Sequence, residues 1–388
     1  MYQRALALAD QFMQWRRMIH QYPELAFQET STARFVAQKL KEWGLEVHYP
    51  VGKTGVVGYL GVDSPTIALR ADMDALPITE KTGLPFASRS PGIMHACGHD
   101  AHVACLLGAA RLISEGRPKK GSVRFLFQPS EETVDEEGRS GAIRMIQGGA
   151  LVGVEAIIGL HVWTSLPVGQ VALSPGPQMA ATGNFNIRVQ GKGGHGAAPH
   201  RAIDPVILTA QVIMRLQAVV ARCLDPTDTG LITIGTIHGG SKNNIIPDYV
   251  DLSGTIRAFK DETLQQLKDE LVRSLEMLKP LGGDYRLEWI SVGPVLYNNP
   301  QLTALVREVA VDLLGRNAVL PAEPVMNSED FSFFARQVPG CFFRLGAGFI
   351  DRESNDHHNP HFDIDEKALP IGASLLAETA LRYLSQKG

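Results

Sequence analysis

Four short apolar runs in this chain each stop at a cluster of ligand-type side chains, and this repeated arrangement restricts the fold more than any other feature. Thr66-Ile-Ala-Leu69 leads into Arg70-Ala-Asp72-Met-Asp74, and Val123-Arg-Phe-Leu-Phe127 leads into Gln128-Pro-Ser-Glu131-Glu132. Ala156-Ile-Ile-Gly-Leu160 stops at His161, and Cys341-Phe-Phe-Arg-Leu345 opens a loop that ends Asp356-His357-His358-Asn359-Pro360-His361. Runs of this kind read as buried strands. With Leu45 to Tyr49 and Val56 to Leu60 ahead of them and helical patterns between, they predict an α/β layer architecture around a largely buried sheet. In open α/β sheets, ligands bind outside the carboxyl ends of the strands. Residues distant in the chain are therefore expected to meet in one crevice.

The densest donor cluster lies in Met94 to His102, where His95, Cys97, His99, Asp100 and His102 crowd the start of an apolar helical pattern. The positive end of the helix dipole, and any bound cation, favour a thiolate there. Cys97 and His99 are two apart, which in an extended segment sends both side chains to one face, while Gly98 keeps the backbone between them slim. The structural alternative is a turn with a buried thiol and solvated histidines. Adjacent Glu131 and Glu132 point different ways, so one could bind a metal while the other moves protons. The alternative there is an acidic loop such as Asp135-Glu136-Glu137 just beyond. With Cys97, His99, His161 and His358, the pair supplies five candidate ligands and a spare carboxylate.

That count matters. One Zn²⁺ closed by four protein ligands is structural, whereas five ligands shared by two metals roughly 3.5 to 4 Å apart leave positions for hydroxide and a substrate oxygen. The expectation is a binuclear centre with Cys97 as its bridge. Mixed S, N and O donors suit Zn²⁺ without excluding Mn²⁺, Co²⁺ or Ni²⁺. Such a centre needs a carboxylate base beside a water whose pKa the metal brings to about 7, and Glu131 fits. Asp74 or Asp100 would orient a ligand imidazole from behind, or would cap a turn or helix.

A chain of 388 residues suggests two domains. The opening predicts a helix over 4–21, with Leu6, Phe12, Trp15, Met18 and Ile19 as its apolar stripe, and a second helix over 29–43. Between Met179 and Pro294 the pattern changes. Strands over 184–190, 231–237, 249–259 and 285–290 alternate with helices over 205–222 and 261–281. The order βαββαβ predicts a ferredoxin-like α+β domain over 179–294, inserted into a first domain made of 1–178 and 295–388, and an inserted module of this kind is a lid candidate. A net charge of -4 with no basic stripe gives no nucleic-acid footprint, and Arg16-Arg17 and Lys119-Lys120 read as solvated pairs. Four scattered cysteines suit a reducing compartment. The opening residues are too polar for a signal peptide and no apolar run reaches membrane-spanning length, so a soluble cytoplasmic protein with no membrane partner is expected.

His95-Ala-Cys97-Gly-His99-Asp-Ala-His102, Gln128-Pro-Ser-Glu131-Glu132, Gly159-Leu-His161-Val, Gly191-Lys-Gly-Gly-His195-Gly-Ala-Ala-Pro-His200 and His358-Asn-Pro-His-Phe-Asp363 carry a resemblance. They resemble the dinuclear metallopeptidase family of aminoacylases and carboxypeptidase G. The chain is most similar to its amidohydrolase branch of hippurate hydrolases, N-acyl-amino-acid amidohydrolases and plant auxin-conjugate hydrolases. The similarity runs from Arg16-Arg17-Met-Ile-His20-Gln-Tyr-Pro23-Glu24-Leu25 to the final helix. It implies a zinc-exopeptidase-like mixed sheet and two divalent ions held by Cys97, His99, Glu132, His161 and His358, with Glu131 as general base. It also implies that the insert forms a homodimer and supplies His195 to stabilise an oxyanion, and that Asn244 and Arg257 contact the carboxylate of a small N-acyl amino acid.

On the residues alone, Gly193 to Gly196 is a glycine-rich turn with an exposed histidine, and Arg257 reads as solvated. Three positions depart from the branch: Ser130 for alanine, His357 where an apolar residue is usual, and Asn327 for glycine before Ser328-Glu329-Asp330-Phe331. The expected activity is hydrolysis of N-acyl amino acids. The rivals are a dipeptidase or aminopeptidase on the same framework and a catalytically silent metal or amino-acid binding protein. A spare Glu131 beside a full ligand set argues against the silent protein.

Overall fold

A computed structural model describes residues 1–61, 64–118 and 120–387, so Lys119 of the Lys119-Lys120 pair lies outside the described residues. The chain forms two compact units: Met1–Gly176 with Tyr297–Glu323 and Asp330–Gly388, and Pro177–Leu296 with Pro324–Glu329.

The first unit is built on a mixed sheet of eight strands. Their order is Glu46–Val51, Gly55–Leu60, Ser122–Gln128, Thr66–Asp72, Ala156–Pro167, Gly340–Gly348, Val171–Ala172, Val319–Leu320. Thr66–Asp72 is buried at every residue and runs parallel to both neighbours, as a strand covered on both faces must be. Gly340–Gly348 continues the parallel set beside Ala156–Pro167, with Arg344 opposite His161. Four parallel strands thus point their carboxyl ends the same way, and an antiparallel hairpin closes one edge.

The connection from Thr66–Asp72 to Ser122–Gln128 contains the helix His99–Glu115. It is apolar on almost every side and packs between the helices Ala9–Gln21 and Ala368–Lys387. Gly108 permits that close packing, since a Cβ there would lie 2.8 Å from Ala373 Cβ and 2.9 Å from Phe12 Cζ.

Two expectations change. The helix expected over 4–21 is two helices, Tyr2–Ala7 and Ala9–Gln21, because the Leu8 N–H bonds Ala5 O, one residue nearer than in an α-helix. Leu6 and Met18 are exposed, whereas Phe12, Trp15 and Ile19 of the expected stripe are buried on the second helix together with Arg16 and His20. His161 does not end its strand. The β-favouring Val162, Trp163 and Thr164 carry the strand on to Pro167.

The second unit has the order βαββαβ. Its antiparallel sheet runs Gly230–Gly239, Tyr249–Ala258, Ala181–Gln190, Asp284–Gly293, the ferredoxin-like arrangement. Alternation along Ala181–Gln190 puts Phe185, Ile187 and Val189 into a core with Leu208, Val212, Leu216, Leu267 and Leu271 from the helices Pro205–Arg222 and Asp261–Glu276. Asp204 caps the first helix by accepting from the Val206 N–H at 2.9 Å, and Pro205 opens it. Against expectation, this helix of 18 residues and mean hydropathy 1.2 is long and apolar enough to cross a membrane by length and composition. Its Leu208, Val212, Leu216 and Val219 instead pack in the unit's core, and Arg215 pairs with Glu270 at 3.1 Å.

Candidate metal centre

The site begins at Gly98. Its φ of +88° suits a residue without a side chain, and a Cβ there would stand 2.4 Å from Val162 Cγ2. This turn starts the helix His99–Glu115 and presents Cys97 and His99 on its two sides. Cys97 Sγ lies 3.4 Å from His161 Nε2. The ligand atoms of Cys97, His99 and His161 fall within 4.8 Å of one another, as do those of Cys97, Glu132 and His358 and those of His99, Glu131 and Glu132. The first two triads share the Cys97 sulfur. His99 Nε2 is buried among these donors without a hydrogen-bond partner. A thiol, imidazoles and carboxylates gathered around such an orphaned nitrogen fit divalent cations of the zinc type.

The His99 and His161 imidazoles are each set by the other nitrogen. His99 Nδ1 donates to Asp74 O at 2.9 Å and lies 3.2 Å from Asp74 Oδ1, so Nε2 is the nitrogen that faces the cluster. Asp74 Oδ2 accepts from the Glu132 N–H at 3.0 Å, so one carboxylate braces two of the donors. His161 Nδ1 donates to Val162 O at 2.6 Å. His358 Nε2 lies 3.2 Å from Glu132 Oε1, its backbone in the left-handed region at φ +65°. His357 Nε2 instead donates to Val162 O at 2.9 Å, with its ring against His161, Trp163 and Phe362. His102 also stands beside His99, yet both its nitrogens are occupied. Nδ1 is 2.5 Å from Asp72 Oδ1, and Nε2 accepts from the Val162 N–H at 2.9 Å.

Burial pushes the Cys97 thiol well above its ordinary pKa, with the Glu132 carboxylate adding to it and His99 opposing. Burial works against a charge on His99, but the Asp72 carboxylate and Cys97 outweigh it and raise the imidazole. His161 is held well below its usual value by burial and by His102 and His357. A cation entering this cluster must displace protons from Cys97 and His99.

Around the donors runs a set of buried ions that sequence reasoning missed. Arg16, expected to be solvated, is fully buried. Its Nε donates to Asp100 at 3.0 Å, and Asp100 also meets His20 Nδ1 at 2.8 Å. Arg16 reaches Glu366 at 3.1 Å as well. Asp100 therefore turns toward Arg16 and His20, whereas Asp74 holds an imidazole of the cluster. On the other side, Arg70 donates to Asp72 at 2.7 Å, to Gln128 at 2.7 Å and to Asp330 at 2.9 Å. The Asp330 N–H lies 3.4 Å from Glu131 Oε1, which gives Asp330 a place in the site. Arg70 and Asp72 belong to a strand-end cluster visible in the sequence, but nothing local there indicates their partners.

His195, Asn244 and Arg257 belong to the second unit. His195 is exposed in the short strand Gly194–His195, opposite Ile245, and the Gly196 N–H bonds Asn244 O at 2.9 Å, so these two turns lie side by side. His195 Nδ1 accepts from the Ala197 N–H at 3.0 Å, which leaves the proton on Nε2. Asn244 is exposed, and half-buried Arg257 donates to Met326 O at 2.6 Å.

Comparison with known proteins places the chain in a family. The chain is 42% identical over 381 residues to an N-acetyl-L-cysteine deacetylase of Bacillus subtilis, covering 97% of this chain and 89% of the relative. It is 40% identical over 397 residues to the IAA-amino acid hydrolase ILR1-like 5 of Arabidopsis thaliana, covering 98% and 89%. Among solved structures, the Bacillus subtilis YXEP protein, a dinuclear metal-binding peptidase from the M20 family, superposes with a TM-score of 0.85 at 34% identity, covering 98% of this chain and 99% of that one. Residues 68–382 match the family description itself, and the chain belongs to peptidase family M20/M25/M40.

Proposed function

We propose that this member of an amide-hydrolysing family is a metal-dependent amidohydrolase that releases amino acids from their N-acyl derivatives. The observation that carries the reading is the pair of donor triads sharing Cys97, with Glu131 beside them in a third group. In this reading Cys97, His99, Glu132, His161 and His358 would hold two divalent cations. Zinc suits the donor set, and manganese, cobalt or nickel is compatible with it. The cations, when bound, supply Lewis acidity at the scissile carbonyl and lower the pKa of a water.

The chain's own residues do the rest. Glu131, next to the Asp330 N–H, takes the proton of the attacking water and returns it to the leaving amine nitrogen as the C–N bond breaks. Asp74 keeps His99 in one tautomer and fixes the Glu132 backbone. His195, with its proton on Nε2, donates to the oxyanion of the tetrahedral intermediate. Arg257 and Asn244 hold the free carboxylate of the substrate, a task that suits the guanidinium fork. The insert serves as lid and as the surface of a homodimer. Four free thiols suit a cytoplasmic setting.

The test is Glu131→Gln. Turnover of an N-acetyl amino acid is expected to fall by about 10²- to 10⁴-fold with bound metal, measured by elemental analysis, unchanged. A fully active variant overturns the role of Glu131. Faster cleavage of unblocked dipeptides than of N-acyl amino acids by the wild-type protein would favour a peptidase, and failure to cleave either would favour a binding protein.

A further inference from the structure

Beneath the turn that carries Glu131 and Glu132 lies a carboxylate with no part in the reaction just described. Glu29 is fully buried. It begins the helix Thr30–Glu42 but makes no side-chain cap on it. That task falls to Glu24, whose oxygens accept from the N–H groups of Ser31 and Thr32 at 2.9 Å each. The Glu29 carboxylate is thereby left for other partners. Oε1 accepts from the Phe27 N–H at 2.9 Å and from the Ser130 N–H at 2.8 Å, and Oε2 accepts from the Thr54 hydroxyl.

Ser130 is the informative partner. It precedes Glu131, it is fully buried, and its φ is +44°. A residue with a Cβ is disfavoured in this region and persists there only when its surroundings over-determine it. The surroundings here can be named. The Ser130 hydroxyl donates to Thr133 O at 2.9 Å, closing the turn across Glu131 and Glu132. The Gly141 N–H donates to Ser130 O at 2.9 Å, and a Cβ on Gly141 would lie 1.5 Å from Pro129 O, so the next helix presses directly on the turn. The remaining group, the Ser130 N–H, is removed from water and bonds to Glu29. Without that acceptor the amide would be a buried orphan, and rotating out of the left-handed region to find another would re-aim the two residues that follow.

We propose that Glu29 is a positioning residue for the Glu131-Glu132 pair: by capturing the Ser130 amide it holds the left-handed turn from which both carboxylates reach the donor cluster. This rests on the reading of Glu131 as base and Glu132 as metal ligand.

The test compares wild type, Glu29→Ala, Glu29→Met, each Glu29 variant combined with Ser130→Gly, and Glu131→Gln, all reconstituted with zinc or manganese. Three quantities are read: kcat and KM on an N-acetyl amino acid, metal bound per chain, and amide hydrogen exchange over residues 129–133 in the metal-free protein. Removing the Glu29 acceptor is expected to lower kcat by about 10- to 100-fold with KM little changed, to weaken metal retention and to speed exchange at the turn. Ser130→Gly, for which the left-handed conformation carries no steric penalty, is expected to restore part of kcat in both backgrounds.

Glu29→Met fills the space without an acceptor and carries the test if Glu29→Ala does not fold. Wild-type kcat and exchange in a folded Glu29 variant overturn the proposal. So does a kcat loss that Ser130→Gly leaves untouched, which marks Glu29 as general structural support. If Glu131→Gln is itself fully active, the reading of the base fails instead. If it is inactive while the Glu29 variants match wild type, only the inference about Glu29 fails.

Discussion

At the scale of single residues, a metal cluster needs its imidazoles preset in one tautomer, and here a few oxygens do the setting. Asp74 fixes His99, and Val162 O accepts a hydrogen bond from both His161 and His357. The assignment of His102 and His357 away from the cluster follows from where their nitrogens bond, which no spacing rule in the sequence reveals. The same holds for Arg16, which looks like half of a solvated pair and is a buried partner of Asp100.

The Arg16, Asp100 and His20 cluster makes a pH prediction. Burial alone would lower the pKa of His20, but the Asp100 carboxylate and hydrogen bonds to Asp100 and Glu80 outweigh it and raise it from 6.5 to about 9. A group whose pKa is raised by folding contributes stability that is complete below its unfolded value and lost as pH climbs through its folded value. The urea unfolding free energy of the metal-free protein is therefore expected to decline between pH 6.5 and about 9. His20→Gln is expected to remove that part of the decline. Parallel profiles for the two proteins would take His20 out of the account.

At the scale of elements, the decisive joint is the start of the helix His99–Glu115. Gly98 sits in the left-handed region against Val162, and its two neighbours are donors of the cluster. Gly98→Ala is expected to cost about 1–2 kcal/mol for the backbone and about 1–3 kcal/mol more for the overlap with Val162. It should also weaken zinc binding, because Cys97 and His99 cannot both keep their positions. Denaturant unfolding with parallel zinc titration checks this, and an alanine variant equal to wild type in both would contradict it. Elements themselves were largely legible. Strand runs, the two insert helices and the helix over 29–43 stand out because a side-chain period of two or 3.6 is a local property. The break at Leu8 and the extension of Ala156–Pro167 past His161 were not, since hydrogen bonds and a neighbouring strand set those limits.

At the scale of the molecule, four parallel strands gather residues from Asp74 to His358 at one edge of a sheet, while the second unit keeps a separate core of its own. That core, from Phe185 to Leu278, lies wholly within the βαββαβ stretch. Residues 177–296 expressed alone are therefore expected to fold and to unfold in a single cooperative transition by circular dichroism. A fragment without a cooperative transition would show that its stability comes from elsewhere in the chain. The sequence by itself determined the donor types, the alternation of strand and helix and the βαββαβ order, because composition and periodicity are carried by neighbouring residues. Only the tertiary structure decided which nitrogen of each histidine is free, that Asp100 serves Arg16 and His20, and that Glu29 lies under Ser130. Those outcomes depend on which groups, many of them far apart in the chain, share one water-excluded space in which every buried polar group must find its partner.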